Sequence, residues 1–344
     1  MKKGVVSVLM AVHNEKEAFL RTAIGSIFEQ TYPHIELIIV DDASNADCRA
    51  VVEDLCKARK DVKLLHNETN LGLTKSLNRG LALAEGEFVA RMDADDFSLS
   101  TRIEKQVGYF VKHPDIDIVG TGVVSFGAES VFMSPAFGYN NDAAQCCLFF
   151  SSTLCHPSVM IKKQFLDENG LNYDEGVRTG QDYDLWERCS VCGRLAVMQE
   201  VLLYYRMHLA QISSTSNKNQ NQTSEMVQKR RLGRLGIVPT DKEYKCHKLL
   251  AGNTDKLITN QEVKSWIDKI LQNNQCNQLV NQGVLERDLK RRYVIYKLRN
   301  HVFLKDFALK DFAIIYKFIL GRVKMKMKLY SVRKQMRRII PNEL

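Results

Sequence analysis

The 344-residue sequence is poor in the features that mark repetitive, fibrous or membrane-spanning proteins. With 6 Pro and 19 Gly it is neither collagen-like nor a proline-rich linker. No uninterrupted apolar stretch reaches about 18 residues, so a transmembrane helix is not expected. The apolar run near the N-terminus is only about eight residues long and lacks a small-residue cleavage site, so we interpret it as a strand and not as a signal peptide. With 45% hydrophobic and 26% charged residues, the composition indicates an ordinary folded protein.

Two common nucleotide-binding signatures are missing as well. Neither G-x-G-x-x-G nor G-x-x-x-x-G-K-[ST] follows a predicted strand, which disfavours a nicotinamide-type domain and a P-loop. Nine cysteines, an odd number without a repeating frame, indicate a reducing compartment. Cys189 and Cys192 form one C-x-x-C pair that no second pair completes into a zinc site.

Positive charge is concentrated in the last part of the chain. The net charge is +9, but residues 287–344 carry 17 Lys and Arg against 4 Asp and Glu, so the remainder is net acidic. A basic amphipathic pattern there combines lysines at every seventh position with apolar residues on another side: Lys310, Lys317, Lys324, Phe312, Ile315, Phe318 and Ile319. We interpret it as a membrane-surface element. A nucleic-acid partner is disfavoured because no base-reading motif is present, and a solvated helical bundle is the alternative.

Strand and helix patterns alternate through the first 120 residues. The predicted strands are near-continuous apolar runs at 5–12, 35–40, 62–65, 87–92 and 116–119. The predicted helices lie between them at 16–30, 48–60, 73–84 and 102–112. This alternation predicts an α/β fold with a mostly parallel sheet covered on both faces. Ligands of such sheets bind at the carboxyl ends of the strands.

The rest of the chain is predicted to have three parts. Residues 121–212 are less regular, and residues 213–224 are polar and of low complexity, which is typical of a linker or mobile loop. Residues 225–344 have helical patterns throughout and include the basic stretch.

Acidic residues follow two of the predicted strands. Asp93, Asp95 and Asp96 lie within four residues of one another, and a hard divalent cation such as magnesium or manganese would relieve their repulsion. The alternative is a solvated acidic turn that caps the next helix. Asp42 ends another strand, where an acidic residue either contacts a nucleotide or caps a helix.

Four segments together resemble the family 2 glycosyltransferases. They are VSVLMAVHNE, FEQTYPHIELIIVDDAS, NLGLTKSLNRGLALAEGEFVARMDADD and TGQDYDLWER, in this order, within roughly residues 5–212. The resemblance implies a GT-A fold, with residues 1–120 as the nucleotide-sugar-binding half and residues 121–212 as the acceptor-binding half. Residues beyond the resemblance would form the helical, basic C-terminal region.

The resemblance assigns nucleotide and metal contacts to five positions. Ala11 and Asp42 match the residues that contact the base, and Asp93 and Asp95 are the two ends of the D-x-D motif. Asp95 is the favoured direct ligand of Mn²⁺ or Mg²⁺. His208 lies where related enzymes place a further metal or diphosphate contact.

The resemblance also implies a catalytic base and a stereochemical course. Asp182 matches the family's base, although Gln181 replaces the glutamate that usually precedes it. The base would remove the proton of an acceptor hydroxyl as that oxygen attacks the anomeric carbon, while the metal stabilises the leaving diphosphate. The expected result is a single displacement with inversion.

Four weaker candidates carry an alternative structural explanation. His156 is as well explained by packing as by a role in the site, and Lys75 and Arg79 are equally explained by a solvated helix face. Trp186 is suited to stacking on a sugar, but a core position is the commoner role.

These observations predict a cytoplasmic enzyme, peripheral at the inner face of the membrane. It would transfer a sugar from a nucleoside diphosphate donor, with UDP favoured, to a glycan or lipid-linked acceptor in surface polysaccharide synthesis. A sugar nucleotidyltransferase is the first alternative, but the segment after the first strand lacks the Gly-rich loop that it needs. A catalytically silent membrane scaffold is the second, yet the carboxylates of Asp95 and Asp182 are retained.

Overall fold

The computed structural model describes most of the chain. The described residues are 1–127, 133–134, 139–208, 217–255, 257–300 and 314. They divide into two units, one formed by residues 1–141 with 154–223 and the other by residues 142–153 with those from 224 onward. The repeating lysines Lys310, Lys317 and Lys324 lie outside the described residues.

The first half of the first unit is built from parallel strands joined by helices. The strands are β1 (Lys2–Val12), β2 (Ile35–Asp41), β3 (Val62–His66) and β4 (Gly86–Asp93). The helices are α1 (Glu17–Phe28), α2 (Ala46–Cys56) and α3 (Leu73–Ala82). β1 pairs in parallel with both β2 and β4, and β2 pairs in parallel with β3. The parallel arrangement predicted for this part is confirmed.

Helix α1 shows why the apolar periodicity produces this arrangement. Leu20, Ala23, Ile24 and Ile27 recur at the spacing of one helix face, and all four are buried. They belong to the same core as the alternate residues of β1, such as Val8. The core of this unit therefore lies between the sheet and its covering helices.

Later strands extend the sheet and make it mixed. They are β5 (Phe97–Ser98), β6 (Ile118–Phe126), β7 (Met133–Ser134), β8 (Met160–Lys162) and β9 (Leu195–Arg206). The helices among them are α4 (Arg102–Lys112), α5 (Asn141–Cys147), α6 (Lys163–Glu168) and α7 (Gln181–Cys192). The strand order is β3-β2-β1-β4-β8-β6-β9-β5, with β7 on β6. Strand β8 is antiparallel to both β4 and β6, so it interrupts the parallel order that runs from β3 to β4. Strands β6 and β9 again pair in parallel.

Gly86, the first residue of β4, lies very close to the backbone of β1, so a substitution there tests the packing of the two strands. A Cβ added at Gly86 would lie 2.7 Å from both Ser7 Oγ and the backbone oxygen of Val5. Because backbone atoms cannot move aside as a side chain can, Gly86→Ala is expected to lower the free energy of unfolding by about 1–3 kcal/mol. Denaturant unfolding of the variant measures this loss.

Gly108 provides the matched control for that substitution. It lies inside α4, and nothing stands within 4 Å of a Cβ built there. Gly108→Ala should therefore stabilise the protein by about 0.5–1 kcal/mol, because alanine loses less backbone entropy in a helix. Equal effects of the two substitutions would contradict the close approach at Gly86.

The second unit is helical in its described part. Its helices after α5 are α8 (Asn217–Arg234, which begins in the first unit), α9 (Asp241–Ala251), α10 (Asn260–Asn277) and α11 (Gln282–Arg299). Leu232, Trp266 and Leu285 are among its fully or almost fully buried core residues. Helices α9 and α10 each begin with a capping box, formed by a threonine and the glutamate three residues later.

The expectation of a linker or mobile loop at 213–224 is wrong for its second part. Residues 217–224 are the beginning of α8, whereas residues 213–216 lie outside the described part of the chain. The asparagine- and glutamine-rich composition misled the prediction. The Lys and Gln residues of this segment lose little rotamer freedom in a helix, and the same helix buries Val227 and Leu232 further on. Whether the remaining divisions of the chain mark functional parts stays a prediction.

None of the helices in the described part of the chain combines the length and the apolar character that crossing a membrane requires.

Candidate active site

Three strands end side by side at one edge of the sheet. In the register of the parallel pairs, Ala11 on β1 lies opposite Val40 on β2 and Asp93 on β4. Val12 lies opposite Asp41, the last residue of β2. The topology therefore brings three of the predicted site positions, Ala11, Asp42 and Asp93, to the same edge, where α/β sheets bind ligands.

Asp42 is held by the segment that leads into α3. Its Oδ1 accepts hydrogen bonds from Asn67 Nδ2 at 2.7 Å and from the backbone N–H of Leu71 at 2.8 Å. Its Oδ2 accepts one from the backbone N–H of Gly72 at 2.8 Å. A carboxylate has about four acceptor positions, so these three bonds leave capacity for one more donor, such as a nucleotide base.

The preceding residue, Asp41, has a structural role. It is fully buried and accepts hydrogen bonds from the backbone N–H of Ser44, from Arg49 Nε and from His66 Nδ1. Burial alone would raise the pKa of Asp41, but these hydrogen bonds and the charge of Arg49 hold it below its ordinary value. Asp41 thereby fixes the turn that carries Asp42.

The acidic segment after β4 is tightly constrained. The guanidinium of the buried Arg91 forms an ion pair with Asp93. The fully buried Asp96 accepts a hydrogen bond at Oδ1 from the backbone N–H of Arg206, at 2.8 Å. Its Oδ2 has no hydrogen-bond partner among the described residues. Such an oxygen is costly to bury unless something else, such as a cation, satisfies it.

Two overlapping groups at this edge have the geometry of a cation site. Ligand atoms of Asp93, Asp95 and Asp96 lie within 4.8 Å of one another, and so do those of Glu15, Asp95 and His208. The ring Nε2 of His208 is 3.0 Å from Asp95 Oδ2. The structure thus brings together all three predicted metal ligands, Asp93, Asp95 and His208, and adds Glu15. Carboxylate oxygens are the ligands that manganese and magnesium prefer, so the carboxylates of this cluster fit the expected metal.

The charges in this cluster interact strongly. Burial is the largest influence on Asp95, and the charge of Asp93 adds to it, so the pKa of Asp95 is raised to about 6 despite the opposing contact with His208. Burial and the charges of Asp95 and Asp93 also raise the pKa of Asp96 well above its ordinary value. The cluster therefore resists full ionisation until a positive charge compensates it.

Arg206 holds the chain that carries His208 against this segment. Its Nε donates a hydrogen bond to the backbone oxygen of Asp95 at 2.7 Å, and its guanidinium stacks over Phe19 at 3.9 Å from the ring centroid. The His208 ring lies 5.6 Å from the Phe19 ring. Residues of α1, the acidic segment and the end of β9 thereby keep the ligand groups in place.

Asp182 lies in the first turn of α7. Gly180, which immediately precedes this helix, has a φ of +71°, a left-handed conformation that glycine adopts readily. Asp182 is half-buried, whereas Asp184 in the same turn is buried and paired with Arg188 at 2.8 Å. Gln181, which stands where the family usually has glutamate, is buried. Asp182 is thus the more accessible carboxylate of this turn.

The weaker candidates separate into a buried group and an exposed one. His156 Nε2 is 2.7 Å from the Tyr173 hydroxyl, and its ring packs edge-on against Trp186. Burial, together with the charge of Arg91, lowers the pKa of His156 well below its ordinary value, so the ring is neutral. Trp186 is completely buried, which supports the core role and leaves no face for a sugar.

Lys75 and Arg79 are both exposed on α3. Arg79 donates a hydrogen bond to Asn67, the residue that also binds Asp42. Arg79 therefore supports Asp42 indirectly, whereas Lys75 has a solvated position on the helix.

Residues that the sequence analysis missed are Glu15, Asn67 and Arg91. Glu15 lies just after β1, so the rule that sites form at strand ends was enough to propose it. Asn67 has the same signal, since it follows β3 directly. Arg91 lies inside an apolar strand next to the acidic segment, and a buried arginine at that place predicts an acidic partner.

Comparison with known proteins finds similarity to glycosyltransferases. The model of the glycosyl transferase family 2 matches residues 7–170. An uncharacterized glycosyltransferase of Haemophilus influenzae is 31% identical over 250 residues, which are 68% of this chain and 76% of that protein. The O-antigen biosynthesis glycosyltransferase WbnJ of Escherichia coli is 33% identical over 211 residues, which are 59% of this chain and 80% of that protein.

A solved structure agrees with these relatives at the level of the fold. The S. aureus TarS 1–349 structure in complex with UDP-GlcNAc has a TM-score of 0.58 and 16% identity, covering 86% of this chain and 92% of TarS 1–349. The mixed sheet with acidic strand ends therefore defines a glycosyltransferase of the GT-A fold. The chain belongs to glycosyl transferase family 2.

Proposed function

We propose that the protein is a metal-dependent, inverting glycosyltransferase that uses a nucleoside diphosphate sugar. The observation that carries this proposal is the meeting of Asp93, Asp95 and His208 at the strand edge that also holds Asp42. A nucleotide at Asp42 and a cation at Asp95 would occupy neighbouring positions on this edge. In a nucleoside diphosphate sugar, the diphosphate links the nucleoside to the sugar. One donor molecule could therefore contact Asp42 with its base and the cation with its diphosphate.

The residues of the cluster have distinct roles in this proposal. Asp95 and His208 would hold Mn²⁺ or Mg²⁺, with Glu15 as a further ligand and Asp93 oriented by Arg91. When bound, the cation offsets the negative charge that develops on the leaving diphosphate. The buried Asp96 is fixed by the backbone of Arg206, and its ionised form would be favoured once the cation is bound.

Asp182 would act as the general base. A carboxylate within hydrogen-bond reach of the acceptor hydroxyl takes its proton as the oxygen attacks the anomeric carbon. In a single displacement, attack comes from the face opposite to the leaving diphosphate, so the configuration at the anomeric carbon inverts. An α-linked donor would give a β-linked product.

The comparisons support a UDP-sugar as the donor and a surface glycan as the product. The similar structure of TarS contains UDP-GlcNAc, and WbnJ is named for O-antigen biosynthesis. We therefore propose a glycan or lipid-linked hydroxyl acceptor. The excess of Lys and Arg over residues 287–344 supports a cytoplasmic protein that binds an anionic membrane surface, where a lipid-linked acceptor would lie.

Release of nucleoside diphosphate from a panel of UDP-, GDP- and dTDP-sugars tests the proposal. We expect slow hydrolysis of a UDP-sugar in the presence of Mn²⁺ or Mg²⁺, abolished by EDTA. If hydrolysis without acceptor is too slow to detect, calorimetry should show metal-dependent binding of UDP. Absence of both turnover and metal-dependent nucleotide binding would overturn the proposed function.

A further inference from the structure

Helix α3 is bound at its beginning to the nucleotide edge of the site. The backbone N–H groups of Leu71 and Gly72, just before the helix, donate to the two oxygens of Asp42. Asn67 Nδ2 donates to Asp42 and also lies 2.9 Å from Ser76 Oγ in the second turn of the helix. Any movement of α3 would therefore also move the surroundings of Asp42.

Another face of the same helix binds the segment 171–180, which is about a hundred residues away in the sequence. Asn78 Nδ2 donates to the backbone oxygen of Tyr173 at 2.8 Å, and the Tyr173 N–H donates to Asn78 Oδ1 at 3.0 Å. One turn earlier, Thr74 Oγ1 donates to the backbone oxygen of Val177 at 2.9 Å. Thr74 and Asn78 are four residues apart and so share one face of the helix.

This segment leads directly into the helix that carries the proposed base. It contains neither helix nor strand, and only three residues separate Val177 from Gln181, where α7 begins. On its other side, Arg188 of α7 donates to the backbone oxygen of Asn172 at 2.7 Å. The segment is thus bound by both α3 and α7, and its position determines where the first turn of α7 starts.

We propose that Asn78, together with Thr74, is a positioning residue for the catalytic base. The two side chains bind the 171–180 segment to α3 and thereby set the place of Asp182 relative to the nucleotide edge at Asp42. This inference rests on the proposed function. An irregular segment has no hydrogen bonds of a helix or sheet to define its path, so side chains of a neighbouring rigid element must supply them.

Hydrogen exchange and kinetics of Asn78→Ala and Thr74→Val test the inference. Exchange of the backbone N–H groups in 171–182 should rise about tenfold or more in both variants, because each variant loses hydrogen bonds that hold the segment against α3. In Asn78→Ala the lost bonds include the one that the Tyr173 N–H itself donates. The kcat should fall by about 10- to 100-fold with little change in the KM for the donor, since a displacement of about 1 Å is enough for such a loss. Nucleotide binding measured by calorimetry should be unchanged.

Two variants serve as controls. Thr74→Ser retains the hydroxyl, so both its exchange and its kcat should stay near those of the wild type. Asn169→Ala also removes a bond from an asparagine side chain to the backbone, that from Nδ2 to the Phe165 oxygen, which lies outside the contact of the segment with α3. Its kcat and the exchange of residues 171–182 should stay near those of the wild type.

Hydrogen exchange and kcat together distinguish a failure of the positioning role from a failure of the proposed function. Unchanged exchange in Asn78→Ala would overturn the inference whatever the activity. If Asn78→Ala showed raised exchange but the same kcat as Asn169→Ala, the contacts would be structural only. That result would overturn the positioning role. A wild type that neither turns over a donor nor binds nucleotide would instead overturn the proposed function, and the positioning of a base would fall with it.

Discussion

Replacement of Asp182 by asparagine is expected to lower kcat by about 10²- to 10⁴-fold while nucleotide affinity stays unchanged. The amide has nearly the same shape as the carboxylate but cannot accept the proton of the acceptor hydroxyl. Asp182 lies in the first turn of α7, whereas the groups that would bind nucleotide and metal lie at the ends of β1, β2 and β4. The substitution should therefore affect the chemical step and not donor binding.

Asp184→Asn is the matched control, because it makes the same change in the same helical turn. Asp184 is buried and paired with Arg188, so its loss should reduce stability more than catalysis. Steady-state kinetics with donor and acceptor, together with calorimetric titration of UDP, measure both variants. If Asp182→Asn kept its kcat within about threefold of the wild type, another group would have to be the base.

The elements of the first 120 residues were predictable because their signals are local. Apolar runs bounded by turn residues placed β1, β2, β3 and β4 within three residues of their observed ends, and α4 was predicted with its observed bounds, Arg102–Lys112. The antiparallel strand β8 was not predicted. It has only three residues and pairs with β4, far away in the sequence, so its place is determined by tertiary contacts.

The residues of the candidate site likewise divide into those that local signals predict and those that depend on distant contacts. The acidic residues at strand ends were found because topology alone brings strand ends together. Asn78 was missed because it is a single polar residue without periodicity, and its importance depends on Tyr173, which is 95 residues distant. Burial decided the interpretation of Trp186 as a core residue, and a sequence cannot show burial directly.

Replacement of Asp95 by asparagine is expected to abolish metal binding, to reduce activity by about 10²- to 10³-fold, and yet to stabilise the metal-free protein at neutral pH. Asp95 is mainly buried and lies close to Asp93 and Asp96. Its pKa of about 6 is above the ordinary value of 3.8 for an aspartate, so folding penalises its ionised form. An amide removes that penalty.

The raised pKa of Asp95 makes the stability of the metal-free protein depend on pH. Because the folded state binds the proton of Asp95 more tightly than the unfolded state does, stability is lost as the pH rises from about 4 to about 6 and stays reduced above that range. Metal-free Asp95→Asn should therefore exceed the wild type in stability by on the order of 2 kcal/mol at pH 7.5, with a difference that shrinks towards pH 4. Thermal unfolding in EDTA across this range measures it.

Addition of Mn²⁺ should reverse the order of the melting temperatures of the wild type and Asp95→Asn. A cation that binds the folded wild type raises its melting temperature, whereas the asparagine variant should not respond. Glu15→Gln provides the comparison, because it retains the buried carboxylates. It should respond to Mn²⁺ more weakly than the wild type, and it should gain less stability in EDTA than Asp95→Asn, because the charge of Glu15 is only a minor cause of the raised pKa of Asp95. If Mn²⁺ raised the melting temperatures of the wild type and Asp95→Asn equally, the cation would bind elsewhere. A destabilised metal-free Asp95→Asn at pH 7.5 would show that the protein itself already compensates the charge of Asp95.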